Sequence, residues 1–428
     1  MNFFKKIITK ILVFEARRAL KKFKPVIIGV TGSVGKSSAK EAIAAVLENH
    51  LSVRKSQKSY NSEIGLALAI LGLNTAWNSS LGWFRNIIDG FNVSLGKKFP
   101  KVLVLEMGVD RPQDFDKLLR IVSPSIGIMT AIGEIPVHVE FFSGPEAVVR
   151  EKSKLIKNLP ADGTAILNFD DEVVRSLKDS TKAQVLSFGF GKGADIRASN
   201  YKISTEGIVF KMDHAGASVP VRLKNIYGKQ HVYAVLAAAA AGIVFDMNLI
   251  DVSEALQKYE SPPGRLKLIE GIKKTFILDD SYNASPLATH AALDALADLS
   301  LEISEKKKRK IVAFGDMLEI GKFTLEAHKA VGEKVAKVAD YFVTVGPRSK
   351  FAAEGALFSG MPEKNIKSFS TSKEAAEFLR EFVREGDIVL VKGSQGIRME
   401  RVSMELLAHP ENAEKLLVRQ DTYWRRLR

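Results

Sequence analysis

The chain has 428 residues, a formal net charge of +14, 46% hydrophobic and 26% charged residues, which is typical of a globular enzyme of two or three domains. It contains no cysteine, which excludes disulfides, thiolate metal sites and cysteine nucleophiles and agrees with a reducing cytoplasm. No segment reaches the ~18 consecutive apolar residues that a membrane-spanning helix needs.

The first 25 residues carry half of the net charge, with eight Lys and Arg against the single acid Glu15. Apolar residues interleave with these cations at helical spacing, which predicts a basic amphipathic helix over residues 1–24. Two interpretations are open: the helix packs on the next domain, or it lies in a membrane interface as a peripheral contact. Because the positive charge is concentrated at one end, we expect no nucleic-acid partner.

Beyond Pro25, apolar strands alternate with helical stretches, which predicts an α/β fold with a mostly parallel sheet covered on both faces. Ligands of such sheets bind at the carboxyl ends of the strands. A period-two alternation over residues 190–226 predicts an appended antiparallel hairpin. The predicted strands lie within residues 25–30, 101–108, 125–133 and 163–171, and the first predicted helix covers residues 37–51.

A segment with paired prolines and a glycine, "YESPPGRLKLIEG" at residues 259–271, is the predicted linker. After it, four further apolar strands separated by helical stretches predict a second, Rossmann-like α/β domain. We therefore divide the chain into the helix of residues 1–24, a central domain of residues 25–260 and a C-terminal domain of residues 261–428.

The most informative segment is "GVTGSVGKS" at residues 29–37, between a predicted strand and a predicted helix. Gly32 and Gly35 permit close backbone approach, and the helix N-terminus can hold phosphate oxygens. Val30 stands where the generic P-loop pattern has glycine. Even so, the pattern predicts that Lys36 reaches the β- and γ-phosphates and that the Ser37 hydroxyl meets Mg²⁺.

Three more side chains are candidates for the same site. Glu106 ends a predicted strand of the same sheet and offers the hard oxygen that Mg²⁺ prefers, although a surface or capping carboxylate is the alternative. His138, taken alone, is more typical of a structural or surface histidine. Lys152, taken alone, is more typical of a solvated helix lysine.

Six segments in the same order resemble the Mur ligase family over about residues 25–428. They are "GVTGSVGKSSAKE", "YNSEIGLAL", "LEMGVDRPQDF", "DDSYNASP", "FGDMLEIG" and "VKGSQGIRMERV". The resemblance implies a central P-loop ATPase-like domain and a C-terminal Rossmann-like domain. It implies an ATP-dependent amide ligase that activates a peptidoglycan-precursor peptide carboxylate as an acyl phosphate and joins it to an amine such as D-Ala-D-Ala.

The resemblance also implies roles for individual residues. It makes Lys36, Glu106, His138 and Lys152 catalytic, with two Mg²⁺ ions expected and Lys152 at the position of a lysine that is carbamylated. The metal ligands would be Ser37, Glu106, His138 and Lys152. The nucleotide-binding residues would be Thr31, Gly32, Ser33, Gly35, Lys36, Ser37, Ser38, Arg265, Asp280, Asn283 and His231, the last at the position of a family asparagine that touches adenine. Lys392 and residues 317–319 would face the cleft.

One departure from the family pattern affects the substrate. The family's N-terminal domain holds a UDP-sugar, whereas here about 25 residues precede the first predicted strand. We therefore expect the uridine site to be missing, reduced or replaced, and a lipid carrier is one option. The alternative function is ligation of another amino acid or polyamide, as in folylpolyglutamate and cyanophycin ligases. We expect a monomer in the cytoplasm, with membrane association left open.

Overall fold

The computed structural model describes residues 3–57, 62–204, 206–299 and 308–426, which form two α/β units, each built on its own sheet. The strands are β1 (Val26–Thr31), β2 (Val53–Lys55), β3 (Val102–Glu106), β4 (Ile126–Met129), β5 (Thr164–Asn168), β6 (Gln184–Gly189), β7 (Ile196–Ser204), β8 (Gly207–His214), β9 (Ala217–Lys224), β10 (Lys267–Gly271), β11 (Thr275–Asp280), β12 (Lys310–Gly315), β13 (Tyr341–Val345), β14 (Ile366–Phe369) and β15 (Ile388–Lys392).

Sixteen α-helices connect and cover these strands within the described residues. They are α1 (Phe3–Phe23), α2 (Lys36–Leu47), α3 (Glu63–Leu71), α4 (Ser80–Leu95), α5 (Asp114–Leu119), α6 (Pro145–Lys157), α7 (Glu172–Arg175), α8 (Lys229–Val244), α9 (Leu249–Leu256), α10 (Pro286–Asp298), α11 (Thr324–Val338), α12 (Lys350–Phe358), α13 (Ser372–Phe382), α14 (Glu400–Leu406), α15 (Ala413–Leu416) and α16 (Thr422–Arg426).

The central sheet has the order β2-β3-β1-β4-β5-β6-β7-β8-β9 in the described chain, and its strands are parallel from β2 to β7. The predicted hairpin of residues 190–226 is instead three antiparallel strands, β7 to β9, which continue the same sheet. The period-two pattern was interpreted correctly as antiparallel, but it could not show that β7 also pairs with β6. The α/β fold class with a mostly parallel central sheet is confirmed.

The C-terminal sheet has the order β10-β11-β15-β12-β13-β14 among the described strands. Five of its strands are parallel, as expected for a Rossmann-like domain, and β10 runs antiparallel to β11 at one edge. The last five residues of the predicted linker form β10, because they pair with β11 from Lys267 to Gly271. We propose the domain boundary at residues 260 and 261, between α9 and β10.

The N-terminal helix α1 packs on the central domain, against α3 and α4. Its buried apolar side chains are Ile8, Leu12, Ala16 and Ala19, which join the core cluster on that face of the sheet. The packing interpretation of this helix is therefore confirmed, while residues 1 and 2 lie outside the described part of the chain. In the described residues, no helix is both long and apolar enough to cross a membrane.

The order of the strands in the two sheets determines where the candidate site lies. Strand β1 lies between β3 and β4, so the carboxyl ends of these three parallel strands meet at one edge of the central sheet. In the C-terminal sheet, β11, β15 and β12 end side by side in the same way. Lys36, Ser37 and Glu106 lie at the first edge, and Asp280 and Lys392 lie at the second, as the rule for open α/β sheets predicts.

Candidate active site

The phosphate loop connects β1 to α2 and has the backbone that its two glycines allow. Gly32 and Gly35 have φ angles of 143° and 88°. A Cβ atom on Gly32 would lie 2.1 Å from the Thr130 hydroxyl, which itself donates a hydrogen bond to the Val34 carbonyl at 2.6 Å. Gly35 is the N-cap of α2, and no side chain among the described residues caps the helix. The start of α2 can therefore meet an anion.

Two hydroxyls of this segment support the phosphate interpretation. Thr31 Oγ1 and Ser33 Oγ are buried and have no hydrogen-bond partner among the described residues. Buried hydroxyls are normally hydrogen-bonded, so an orphaned pair beside a glycine-rich loop indicates a missing polar ligand. The loop fits phosphate. Ser38, in the first turn of α2, is also buried.

Lys36 folds back over the loop, and its ammonium donates to the Gly32 carbonyl at 3.0 Å. Burial lowers the pKa of Lys36, and the carboxylate of Glu106 opposes that shift. A phosphate beside the loop would add a further countercharge for this ammonium to that of Glu106.

Glu106, the last residue of β3, and Ser37, in the first turn of α2, place two side-chain oxygens next to each other. The Ser37 hydroxyl donates to Glu106 Oε2 at 3.0 Å, and Glu106 is only 2% exposed. Arg265 reaches the same hydroxyl from the linker, with Nη2 at 3.2 Å, while its guanidinium lies 3.9 Å from the centre of the Tyr282 ring. A serine hydroxyl and a carboxylate are the hard donors that fit Mg²⁺.

Lys152, on α6, is brought to the phosphate loop although it is 120 residues distant in sequence. Its ammonium donates to the same Gly32 carbonyl as Lys36, at 3.1 Å, and the side chain is 2% exposed. Burial lowers the pKa of Lys152 to about 7, and the positive charge of Lys36 adds to the shift. It is therefore no solvated helix lysine, because its side chain is buried against the phosphate loop and burial favours its neutral form.

His138 lies between two carboxylates, one from each domain. Its Nε2 is 3.3 Å from Asp110 Oδ1, and its Nδ1 is 2.6 Å from Glu319 Oε2. The contact with His138 lowers the pKa of Glu319. Within the described residues, no three His, Asp or Glu side chains are arranged to hold a metal ion. Both ring nitrogens of His138 therefore face carboxylates in this structure.

Asp110 is the site residue that the sequence interpretation missed. It contacts His138, and its charge acts on both buried lysines, Lys36 and Lys152. The sequence offered a signal, because Asp110 follows Glu106 by four residues in the loop after the same strand. Glu319 belongs to a segment that was expected to face the cleft, but its contact with His138 was not foreseen.

The predicted base-binding residue His231 contacts the interdomain linker in this structure. It is fully buried in the first turn of α8, with Nδ1 2.9 Å from the Tyr259 hydroxyl and Nε2 3.0 Å from the Arg265 carbonyl. Burial lowers the pKa of His231 to about 4. Both ring nitrogens thus bind the interdomain linker, and contact with a base would require one of these bonds to break.

Asp280 and Asn283, which are also predicted to bind the nucleotide, make hydrogen bonds at the carboxyl edge of the C-terminal sheet. Asp280, at the end of β11, accepts from Lys392 at 2.5 Å and from the Leu266 amide at 3.1 Å. The Lys392 ammonium also donates to the Asn283 carbonyl at 3.1 Å, and Asn283 Oδ1 accepts from the Ala284 amide at 2.9 Å. These contacts place Asp280 and Asn283 beside the linker residue Arg265, and their contact with a nucleotide stays a prediction.

Two family models match the chain. The model described as the Mur ligase middle domain covers residues 30–242, and the model described as the Mur ligase, glutamate ligase domain covers residues 264–395. The two matched segments correspond to the two sheets described above.

Several curated relatives carry the same name. The UDP-N-acetylmuramoyl-tripeptide–D-alanyl-D-alanine ligase of Bacillus subtilis is 29% identical over 387 residues, covering 90% of this chain and 76% of the relative. The enzyme of the same name from Haemophilus influenzae is 25% identical and covers 93% of this chain and 80% of the relative.

Solved structures agree with these relatives. The MurF ligase of Thermotoga maritima in complex with ADP is 25% identical, with a TM-score of 0.74, and covers 93% of this chain and 83% of that one. The folylpolyglutamate synthase of Mycobacterium tuberculosis, also with ADP, is 16% identical with a TM-score of 0.63 and covers 92% and 94% of the two chains, which shows a shared fold alone. With both family domains matched in order, the chain belongs to the Mur ligase family of ATP-dependent peptide ligases.

Proposed function

We propose that this ligase joins D-Ala-D-Ala, or a similar amine, to the carboxylate of a peptidoglycan-precursor peptide through an acyl phosphate. The observation that carries the proposal is the convergence of Lys36 and Lys152 on the Gly32 carbonyl, beside the Ser37–Glu106 pair. Such a site suits a reaction in which negative charge gathers on phosphate and carboxylate oxygens. The curated relatives' name supplies the amine and the peptide.

The proposed reaction has two steps. A carboxylate oxygen of the peptide attacks the γ-phosphorus of ATP, the bond to the bridging oxygen breaks, and ADP leaves. The amine nitrogen then attacks the acyl carbon, the carbon–oxygen bond to phosphate breaks, and the amide forms with loss of a proton. We place both steps in the cytoplasm, where ATP is supplied.

The chain's own residues have distinct tasks in this scheme. The α2 N-terminus and Lys36 hold phosphate oxygens, and Arg265 brings a second cation from the C-terminal side of the cleft. Ser37 and Glu106 are the residues that would hold Mg²⁺, and His138 would join a second ion once Glu319 withdraws. When bound, Mg²⁺ offsets the charge on the phosphates and the attacking carboxylate.

We propose that Lys152 acts as a carbamate. Carbamylation requires a neutral amine to take up CO₂, and a buried lysine with a pKa of about 7 supplies one near neutral pH. The amine nitrogen forms a bond to the carbon of CO₂ and releases a proton to solvent, which gives an anion next to Lys36. It would convert a repulsive pair of cations into an ion pair and add a carboxylate to a site that has too few metal ligands.

The test is phosphate release from ATP with Mg²⁺, bicarbonate, UDP-N-acetylmuramoyl-tripeptide and D-Ala-D-Ala. Release should require both acceptor and amine, and Lys36→Ala should abolish it, whereas Lys367→Ala at an exposed position should not. Release with another amino acid, or only with lipid-linked or non-uridine peptides, would keep the ligase chemistry and reject the proposed substrates. Release that needs neither substrate would reject amide ligation itself.

A further inference from the structure

Helix α4 presents an apolar stripe to solvent although it is packed on the protein. Its exposed large side chains recur every three or four residues and form what we call the α4 stripe: Leu81, Phe84, Ile88, Phe91 and Leu95. Leu81 is 79% exposed and Phe84 is 60% exposed. The opposite side of the helix buries Trp83 and Gly90. An amphipathic helix normally buries its apolar face, so this second apolar face needs an explanation.

Helix α1 lies beside the α4 stripe and runs in the same direction. The Arg18 guanidinium is 5.7 Å from the centre of the Phe91 ring, and four residues later Lys22 donates to the Leu95 carbonyl at 2.7 Å. One turn before Arg18, Phe14 is 64% exposed. The two helices therefore form one layer in which an apolar surface is bordered by cations.

The exposed charge of this layer is predominantly positive. Seven exposed Lys and Arg side chains lie on α1, namely Lys5, Lys6, Lys10, Arg17, Arg18, Lys21 and Lys22. Its one acid, Glu15, is 2% exposed and faces the protein. Lys97 and Lys98 follow α4 at the surface, and the acid of α4, Asp89, is 3.6 Å from Arg85. A second copy of the chain would bring these cations against one another, whereas an anionic surface would attract them all.

We propose that the α1–α4 layer docks on the surface of an anionic phospholipid bilayer, with the α4 stripe inserted at the headgroup boundary and the cations of α1 on lipid phosphates. Helices that combine a basic border with exposed Phe and Leu lie in the interface plane at a depth of about 5–10 Å. Phe14 and the stripe supply the apolar part, and the cations supply attraction to anionic lipid that salt screens. The contact is peripheral, because α1 and α4 stay packed on the central domain and do not cross the bilayer.

Vesicle flotation of the full chain tests the proposal. We expect binding to vesicles of phosphatidylcholine with phosphatidylglycerol that is at least about tenfold tighter than to phosphatidylcholine alone and that weakens with salt. Phe84→Ser with Phe91→Ser should reduce that binding about tenfold or more. The matched control is Phe358→Ser, which removes a 91% exposed phenylalanine from the C-terminal domain and should change nothing. All variants should melt like the wild type.

Two further measurements distinguish docking from general charge attraction. Lys6→Glu with Lys10→Glu should weaken binding more than Lys364→Glu with Lys367→Glu, which changes the net charge equally at exposed C-terminal positions. Because the chain has no cysteine, Ile88→Cys can carry an environment-sensitive dye, whose emission should shift to the blue on anionic vesicles.

The proposal fails if the wild type does not float with anionic vesicles, or if the double serine variant floats equally well. It also fails if the dye at position 88 reports no apolar environment. Concentration-dependent dimerisation that the double serine variant abolishes, without vesicle binding, would assign the stripe to a second copy instead. None of these results depends on ligase activity, which Lys36→Ala tests separately.

Discussion

Lys152 combines deep burial with a neighbouring like charge, and both favour its neutral form. In buffer with little CO₂, we expect ligase activity to fall as the pH drops below 7, because the protonated amine cannot take up CO₂. Added bicarbonate should restore it. Lys152→Ala should lose roughly 10- to 100-fold in rate, as expected for a lost metal-ligand group. Steady-state rates at fixed Mg²⁺ and varied bicarbonate check both effects.

A carboxylate supplied from outside provides the control. Acetate or formate should recover part of the rate of Lys152→Ala, since it returns an anion to the emptied position. Lys36→Ala should show no such recovery, because there a cation is missing. If Lys152→Ala turns over at the wild-type rate, the carbamate proposal is wrong.

Some of the site residues could be predicted because they follow local rules. Lys36 and Ser37 open a helix after a glycine-rich loop, and Glu106 ends a neighbouring strand, so strand order alone brings them together. The place of Lys152 depends on how α6 packs behind β1 and β4, which no local pattern shows. The contact between His138 and Glu319 depends on the arrangement of the two domains, and sequence spacing carries no information about it.

Glu15 is a buried acid in the packing surface between α1 and α4. Its Oε2 has no hydrogen-bond partner among the described residues, and burial raises the pKa of Glu15 from 4.5 to about 7. The helices approach closely there, because a Cβ on Gly90 would lie 2.2 Å from that oxygen. An unpartnered carboxylate at a tight contact destabilises the layer whenever it is ionised.

The expected sign follows from proton linkage. The folded state holds the Glu15 proton more tightly than the unfolded chain, so the free energy of unfolding falls as the pH rises from 4.5 to 7 and stays lower above. Glu15→Gln should therefore be more stable than the wild type at pH 8, by on the order of 1–3 kcal/mol, and similar to it near pH 4. Denaturant unfolding at both pH values measures this.

Glu48→Gln, at an exposed position after α2, is the matched control and should not change stability at either pH. Equal stability of Glu15→Gln and the wild type at pH 8 would contradict the prediction. The amphipathic pattern of α1 predicted a helix and left its packing on the next domain as one of two interpretations. The pattern could not predict that Glu15 lies on the buried side, because an acid at this position is equally compatible with an exposed side of the helix. Only the packing of α4 against α1 shows that it is buried.

The two domains are in contact across the cleft in this structure. Arg265 reaches Ser37, Glu319 reaches His138, and the Glu319 carbonyl accepts from the Glu140 amide at 3.3 Å. The sequence predicted two α/β domains and a linker, which follow from apolar runs and prolines. It did not show that β10 begins within that linker or that His231 holds it, since both depend on pairings between distant segments.

A ligase of this kind must open to admit substrates and close to align the amine and exclude water. The closed contact can be locked by a disulfide, because a Cβ on Gly321 would lie 3.4 Å from that of Glu140, close to the ~3.5–4.5 Å that a disulfide requires. Gly321 has a φ of 55°, so cysteine there is strained by about 1 kcal/mol, which the fold should tolerate.

We expect Glu140→Cys with Gly321→Cys to lose about tenfold or more of its multiple-turnover rate when oxidised, because products cannot leave a locked cleft. Reduction should return the rate, and each single variant should be insensitive to oxidant since the wild type has no cysteine. Phosphate release before and after reduction measures the effect. An oxidised variant with a confirmed disulfide and an unchanged rate would show that turnover does not require this contact to open, and that the domains exchange substrates by another movement.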